Sequence, residues 1–498
     1  MITSLVKIKL SLAISNEKRI VLIFLFSGFL IMQNTLKPQT KPVIHELIQA
    51  NIRCVMVTGD NLLTAISVAR DCQMIPPNHK VLIVEAVNDD DANDHASVKF
   101  VSTEEHEEDL NDYRSEIPNV DIISSSECRP YHFAMSGKSW AVLKTYFPHL
   151  IPKIIQRGTI FARMSPDQKA QLVEEYQSID YVVSMCGDGA NDCGALKAAH
   201  VGISLSEAEA SVAAPFTSRI SDITCVPIVI REGRCALVTS FGVFNYMALY
   251  SMVQFISVLL LYTLLTNLGD QQFLYIDLVI TTTVAVLMGW TQSYGKLVPE
   301  RPPGSLVSGP NLVSIFAQII VTMIVQVGAY LYLSKQSWYE PLHPPTPETE
   351  IVRCWETTTI FCISSFQYLF LAAVYSKGPP YRKPFYSNVP FLTALIVLVI
   401  FTSLLTIFPG PSMADFFQLM YNSHRPFTHL DFRLTLLGFT LVNLLMCVFI
   451  EKAIVERRWL KTLLHFITRK TQPKNLFRRI QQEMDREGWP NVDPLEQR

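Results

Sequence analysis

The chain has 498 residues, room for more than one domain, and its hydrophobic fraction of 49 % with a mean hydropathy of +0.23 is high for a protein kept wholly in water. The net charge is -2 and no basic stripe interleaved with aromatics appears outside the last helix and tail, which excludes nucleic acid as a partner. The ten cysteines are scattered, with no CxxC pair and no histidine at zinc-like spacing, so they read as reduced, small buried residues.

In chain order, the apolar run from Ile20 to Met32 comes first. It follows a weakly basic start, but no small-residue cleavage site follows it and it falls short of the ~20 residues a membrane span needs. A buried strand is expected there, with a membrane-inserted segment as the alternative. Val43 to Asn51 then reads as an amphipathic helix, Arg53 to Val57 as a strand and Asn61 to Cys72 as a second helix. Near 87–124 the composition turns acidic and polar, with Asp89-Asp90-Asp91 and Glu104-Glu105-His106-Glu107-Glu108-Asp109, and a flexible, solvated surface insertion is expected. Ile154 to Ala162 reads as a strand, and Ser165-Pro166-Asp167 opens a helix with proline at its start and acid in its first turn. A strand at Tyr181 to Met185, a Gly-rich turn with a helix from Asn191 to Ala199, and a strand at Val201 to Leu205 complete the pattern. Strands alternating with helices imply a doubly wound parallel sheet covered on both faces.

After Arg234 apolar segments of spanning length recur at about 240–262, 272–290, 311–333, 357–375, 389–408 and 433–451. Six helices are the simplest count. Lys296 and Arg301 lie in the second connection, Lys377, Arg382 and Lys383 in the fourth, and a basic cluster from Lys452 through Arg479 follows the last segment. The positive-inside rule places those connections, the α/β domain and the terminus in the cytosol. The basic residues Arg457, Arg458, Lys461, Arg469 and Lys470 read as a solvated cytosolic tail, with contact to anionic lipid as the alternative.

Three strand-to-turn-to-helix motifs carry chemistry. Cys186-Gly187-Asp188-Gly189-Ala190-Asn191-Asp192 sets two carboxylates four apart around glycines, where they can reach one hard cation while backbone amides approach phosphate oxygens. Mg²⁺ is the ion expected. Thr58-Gly59-Asp60 offers a hydroxyl and the free amides of a helix start, a phosphate cradle or simply an N-cap. Lys169, in the helix opened by Ser165-Pro166, is either a point charge for phosphate or a surface lysine.

In this order the three motifs, with Lys37-Pro38 and Thr40 before them, resemble the phosphorylation domain of the P-type cation-transporting ATPases, which has a haloacid-dehalogenase-like (Rossmann-like) fold. The resemblance implies that Thr58, Gly59, Asp60, Lys169 and Asn191 serve phosphoryl transfer, that Asp188 and Asp192 belong to a Mg²⁺ site, and that ATP is the energy source. It covers about Gly28 to the end of the last span, and the family's nucleotide-binding domain and first four spans have no counterpart in it. No Asp-Lys-Thr-Gly sequence, which carries the family's phosphorylated aspartate, occurs in the chain, nor does the Thr-Gly-Glu actuator loop. The expected organisation is a divergent segment 1–27, a partial phosphorylation domain 28–235 with its insertion near 87–124, a six-helix membrane domain 236–452 and a basic tail 453–498. A truncated chain of this kind is expected to be inactive alone, or to modulate or compete with the full-length pump as a non-catalytic membrane protein.

An ionisable residue inside a span marks a site by default. Asp277 is one, and Tyr250 and Gln254 share a face of the preceding helix. A carboxylate, an amide oxygen and aromatic faces suit an organic ammonium, although Asp277 could equally be a buried structural acceptor. These spans most resemble the polyamine-transporting (type V, B) branch, which includes polyamine exporters of late endosomes and lysosomes. The resemblance implies Tyr250, Gln254 and Asp277 along a polyamine path and an endomembrane location, late endosome, lysosome or ER.

Overall fold

The computed structural model describes residues 35–88, 96–102, 130–206, 212–341, 353–421, 429–455 and 475–489, so the run Ile20 to Met32, most of the acidic stretch and the basic residues 457–470 lie outside the described residues. The chain divides into two compact units, one formed by 1–228 with 472–498 and the other by 229–471.

The first unit is α/β. Its helices are α1 (Thr40–Gln49), α2 (Leu62–Asp71), α3 (Gly137–Tyr146), α4 (Ile151–Arg157), α5 (Pro166–Ser178) and α6 (Cys193–Ala198). Its strands are β1 (Met56–Val57), β2 (Lys80–Asn88), β3 (Ala96–Ser102), β4 (Tyr131–Ser136), β5 (Gly158–Ala162), β6 (Ser184–Gly187), β7 (Val201–Ser204) and β8 (Phe216–Thr217). They form two sheets rather than one, in the orders β1-β5-β4-β2-β3 and β6-β7-β8. All pairs are parallel except β2 with β3.

Strand β5 shows why a parallel sheet buries both faces: every residue of Gly-Thr-Ile-Phe-Ala is buried, and successive side chains enter different cores. Ile160 and Ala162 pack with Ala65, Ile66 and Ala69 of α2. Phe161 points the other way, among Phe133, Trp140, Leu143, Ile155 and Tyr176.

Three expectations are corrected. The β-branched run Ile154-Ile155 is helical, because Pro152 starts α4 and both isoleucines are buried by packing against the sheet; the strand begins only at Gly158. Residues 96–102, placed in a flexible insertion by composition, pair antiparallel with β2 from Leu82↔Ser102 to Asn88↔Ala96, because Val98 and Phe100 alternate onto the core.

The third concerns the tail, expected as solvated. Leu476–Glu487 is a helix whose Ile480 and Met484 sit in the same core as Phe161. Phe477 stacks on Tyr181 at 4.3 Å, and Trp489 meets Phe133 and Phe100 edge-on at 5.7 Å each. Arg157 pairs with Asp485 at 2.9 Å and Lys153 with Glu487 at 2.7 Å, while Tyr131 donates to the Trp489 carbonyl at 2.6 Å. Half-exposed pairs of this kind contribute ~1 kcal/mol or less each. Burying one residue such as Met484 contributes about 1.5–3 kcal/mol, so the apolar face decides the docking.

The second unit holds the candidate membrane spans, six among the described residues: Cys225–Thr263, Asp270–Met288, Gly309–Ser334, Trp355–Tyr375, Val389–Ile407 and Leu430–Ala453. They match the expected segments, and the first begins in the α/β unit and continues into the bundle. The fourth span is central, with 83 % of its most apolar stretch buried against 28 % for the first and fifth. The second span is not a plain α-helix: Tyr275–Thr282 is π-helical.

Candidate functional site

In the α/β unit three loops meet at the carboxyl ends of parallel strands, where open α/β sheets bind their ligands. The turn after β1 is stitched to the turn after β5. The Thr58 amide donates to the Phe161 carbonyl at 2.9 Å, the Met164 amide to the Thr58 carbonyl at 3.1 Å, and the Arg163 amide to the Asp60 carbonyl at 3.0 Å. Within the first turn Thr58 Oγ1 donates to Asp60 Oδ2 and accepts from the Asp60 amide, both at 3.1 Å. Asn61 then caps α2 by accepting from the Leu63 amide at 3.2 Å. A helix start presents free amides and the positive end of its dipole, which favours an anion.

The second turn is held by a capping box. Ser165 Oγ accepts from the Gln168 amide at 3.3 Å and Gln168 Oε1 accepts from the Ser165 amide at 3.0 Å. Gln168 also donates to the Gly137 carbonyl at 2.8 Å. A Cβ at Gly137 would stand 2.4 Å from the Arg163 carbonyl oxygen, so only glycine lets α3 start against this turn. Arg163 itself is left-handed at φ 51°, a backbone cost that surrounding structure must hold in place. Gly137 stands in no motif that sequence reading singles out, whereas Arg163 lies in the run Ala162 to Lys169 that leads into α5.

One turn into α5, Lys169 Nζ lies 2.8 Å from Asp192 Oδ1, with side chains only 11 % and 13 % exposed. This pair joins the second loop to the third. Gly187 makes room for it, since a Cβ there would stand 2.6 Å from Asp192 Oδ2. The expectation that Asp188 and Asp192 reach toward one cation meets a different local arrangement, in which Asp192 is engaged by Lys169 while Asp188 and Asn191 are exposed. Among the described residues no group of three or more His, Cys, Asp or Glu side chains could hold a metal ion. A single open carboxylate still fits Mg²⁺, which takes one or two carboxylates and completes its shell with phosphate oxygens and water. Burial, then the neighbouring Cys225 and Asp188, push the Cys186 thiol up to about 12, so it stays protonated and unreactive.

In the bundle, Tyr250 donates to Asp277 Oδ1, and Gln254 reaches the same Tyr250 hydroxyl. The three residues singled out in the sequence are therefore together. Asp277 lies in the π-helical segment, where Thr282 Oγ1 donates to its carbonyl at 2.8 Å. Single π turns in α-helices occur frequently at functional sites. Asp277 is exposed among the described residues. Sequence reading missed Tyr368 of the fourth span, whose ring lies 5.4 Å from that of Tyr250.

No family model matches the chain. Curated relatives do. Over 465 residues, 93 % of the chain, it is 46 % identical to the polyamine-transporting ATPase 13A2 of Mus musculus, and it is equally identical over 463 residues to that of Homo sapiens. The polyamine-transporting ATPase 13A3 of Homo sapiens is 44 % identical over 496 residues. The chain spans 39 %, 38 % and 40 % of the length of these relatives. The fold, the order of its loops and this likeness agree that the chain is homologous to the C-terminal two-fifths of the polyamine-transporting P-type ATPases.

Proposed function

We propose that these residues supply the later part of the phosphorylation domain and the last six spans of an ATP-driven pump for polyamines or related organic cations. The observation that carries the reading is the Tyr250–Asp277 contact on the flank of the bundle. A carboxylate facing hydrocarbon is costly, so a cation and further protein are what would cover it. The exposed carboxylate, the amide of Gln254 and the faces of Tyr250 and Tyr368 suit an alkylammonium group rather than a cage of oxygens for a bare inorganic ion.

In the α/β unit, Thr58 and Lys169 would contact the transferred phosphoryl group, Asp192 would hold Lys169 in place, and Asn191 would support the loop. Asp188 would help hold Mg²⁺, which when bound neutralises developing phosphate charge. The phosphorylated carboxylate would come from an aspartate outside the 498 residues. In an alternating cycle the pump would reside in endomembranes, with the phosphoryl chemistry in the cytosol.

The test uses full-length pump reconstituted in vesicles. Asp277→Asn should abolish the stimulation of ATP hydrolysis by spermine while leaving acid-stable label from γ-labelled ATP. Lys169→Ala should reduce that label at least about tenfold, the scale expected when a charged phosphate contact is lost. Spermine stimulation that survives Asp277→Asn unchanged would refute the reading.

A further inference from the structure

Where the fourth, fifth and sixth spans converge, their packing leaves a small cavity. It measures about 10 Å³, the room that one water molecule or one monatomic ion takes. Trp355 and Thr358 of the fourth span, Thr406 of the fifth, and Phe432 and Arg433 of the sixth line it, together with Met420 of the fifth connection. Arg433 is the charged member of this lining and is only 5 % exposed. Its Nη1 donates to the Thr406 and Ile407 carbonyls at 3.2 and 3.3 Å, and its Nη2 to the Met420 carbonyl at 2.9 Å. Its Nε has no partner among the described residues.

A buried guanidinium usually faces a carboxylate, because an uncompensated charge out of water is costly. No carboxylate lines this cavity, and the acids nearest in sequence are engaged elsewhere or exposed. Glu356 accepts from the Tyr339 hydroxyl at 2.7 Å, Asp415 pairs with Arg353 at 3.0 Å, and Asp431 is exposed. Two helix starts add to the same sign. The fourth span begins at Trp355 and the sixth at Leu430, so Thr358 and Arg433 each lie about one turn from a helix start. Such a start carries roughly half a positive elementary charge and favours an anion. The opposing dipole is the end of the fifth span, whose Thr406 and Ile407 carbonyls already hold Nη1. A water in the cavity could accept from Nε but would leave the charge uncompensated. A small anion does both.

We propose that this cavity is a binding site for one small monovalent anion of the size of chloride, held by Arg433 between the starts of the fourth and sixth spans. The anion completes the shell of the guanidinium and fastens the fifth connection to the ends of three spans. Thr358 already takes part in that fastening, since its hydroxyl accepts from the Met420 amide at 3.0 Å. The site neither uses nor requires Asp277, so it stands apart from the cation contact proposed above.

The test is thermal unfolding of the full chain in detergent, in sodium chloride, sodium bromide and sodium gluconate at one ionic strength. Chloride and bromide should raise the bundle's transition by about 2–4 °C over gluconate, and the rise should saturate, because an ion bound only to the folded state stabilises it by mass action. The transition of the α/β unit should not respond. Arg433→Gln should remove the difference between the salts. Should that variant fail to fold for want of its three carbonyl contacts, crystals of the unaltered chain grown in bromide decide the matter: anomalous scattering should place one bromide roughly 3.5 Å from Arg433 Nε, a charge-assisted contact lengthened by the size of the ion. Density beside Nε without an anomalous signal is a water and overturns the proposal. Equal transitions of the bundle in all three salts overturn it as well.

Discussion

The two units place their polar side chains in opposite ways. Among the described residues of the α/β unit the buried polar ones are Ser139, Gln156, Thr159 and Ser204, and the cores are aliphatic and aromatic. In the bundle the fully buried residues include Gln318, Thr322, Gln326, Ser364, Ser365 and Gln367, while Phe244, Phe255, Leu278, Phe316 and Leu441 are exposed. Gln326 Nε2 bridges Ser257 Oγ at 2.9 Å and Gln367 Oε1 at 2.8 Å, tying the first, third and fourth spans together. Where the solvent is hydrocarbon, apolar contact no longer distinguishes inside from outside, and amide and hydroxyl groups specify which helix faces which.

The largest test of this contrast lies in the water-facing unit. Met484→Ala in the tail helix should destabilise the α/β unit by about 2–5 kcal/mol, because it opens a cavity against the sheet. Thermal unfolding of the full chain in detergent should show the α/β transition lowered and the bundle's transition unchanged.

Next in size is a pH effect. His132 contacts His79 at 2.9 Å and Thr159 Oγ1 at 2.8 Å, and burial, then His79, Arg53 and Arg157, hold it at about 4. The unfolded chain, with a histidine near 6.5, binds this proton first on acidification. Stability of the α/β unit should therefore be full above about pH 6.5 and fall as pH drops toward 4, by up to ~3 kcal/mol. His132→Gln should flatten that slope in denaturant titrations run at a series of pH values.

The smallest effect belongs to the bundle. Gln326→Leu should cost only about 0.6 kcal/mol, the average for interhelical hydrogen bonds in membranes, and leave the α/β transition where it was. A loss as large as that for Met484→Ala would mean the bundle is held by its polar groups as strongly as the other unit is by its apolar core.

These effects also explain what the sequence disclosed. The six spans were readable because length and composition suffice where every backbone group must bond within its own helix. The three loops gathered at the strand ends were readable because Gly187, Thr58 and Lys169 stand at fixed offsets from those ends. Strand β3 was not readable, since an acidic composition hid the alternation of Val98 and Phe100, and α4 was not, since two isoleucines argue for strand until Pro152 and Gly158 are weighed as its ends. Tyr368 carries no signature either, because it reaches Tyr250 only through the packing of the fourth span.

The tail helix has a consequence for biogenesis. Ile480, Met484 and Trp489 complete a core begun by Leu82 and Phe133, yet all six spans are synthesised in between. A ribosome that delivers the chain from its amino end leaves that core open until the last span has been inserted. Its apolar face stays open until then: the α/β unit closes only on a chain whose six spans have already been synthesised.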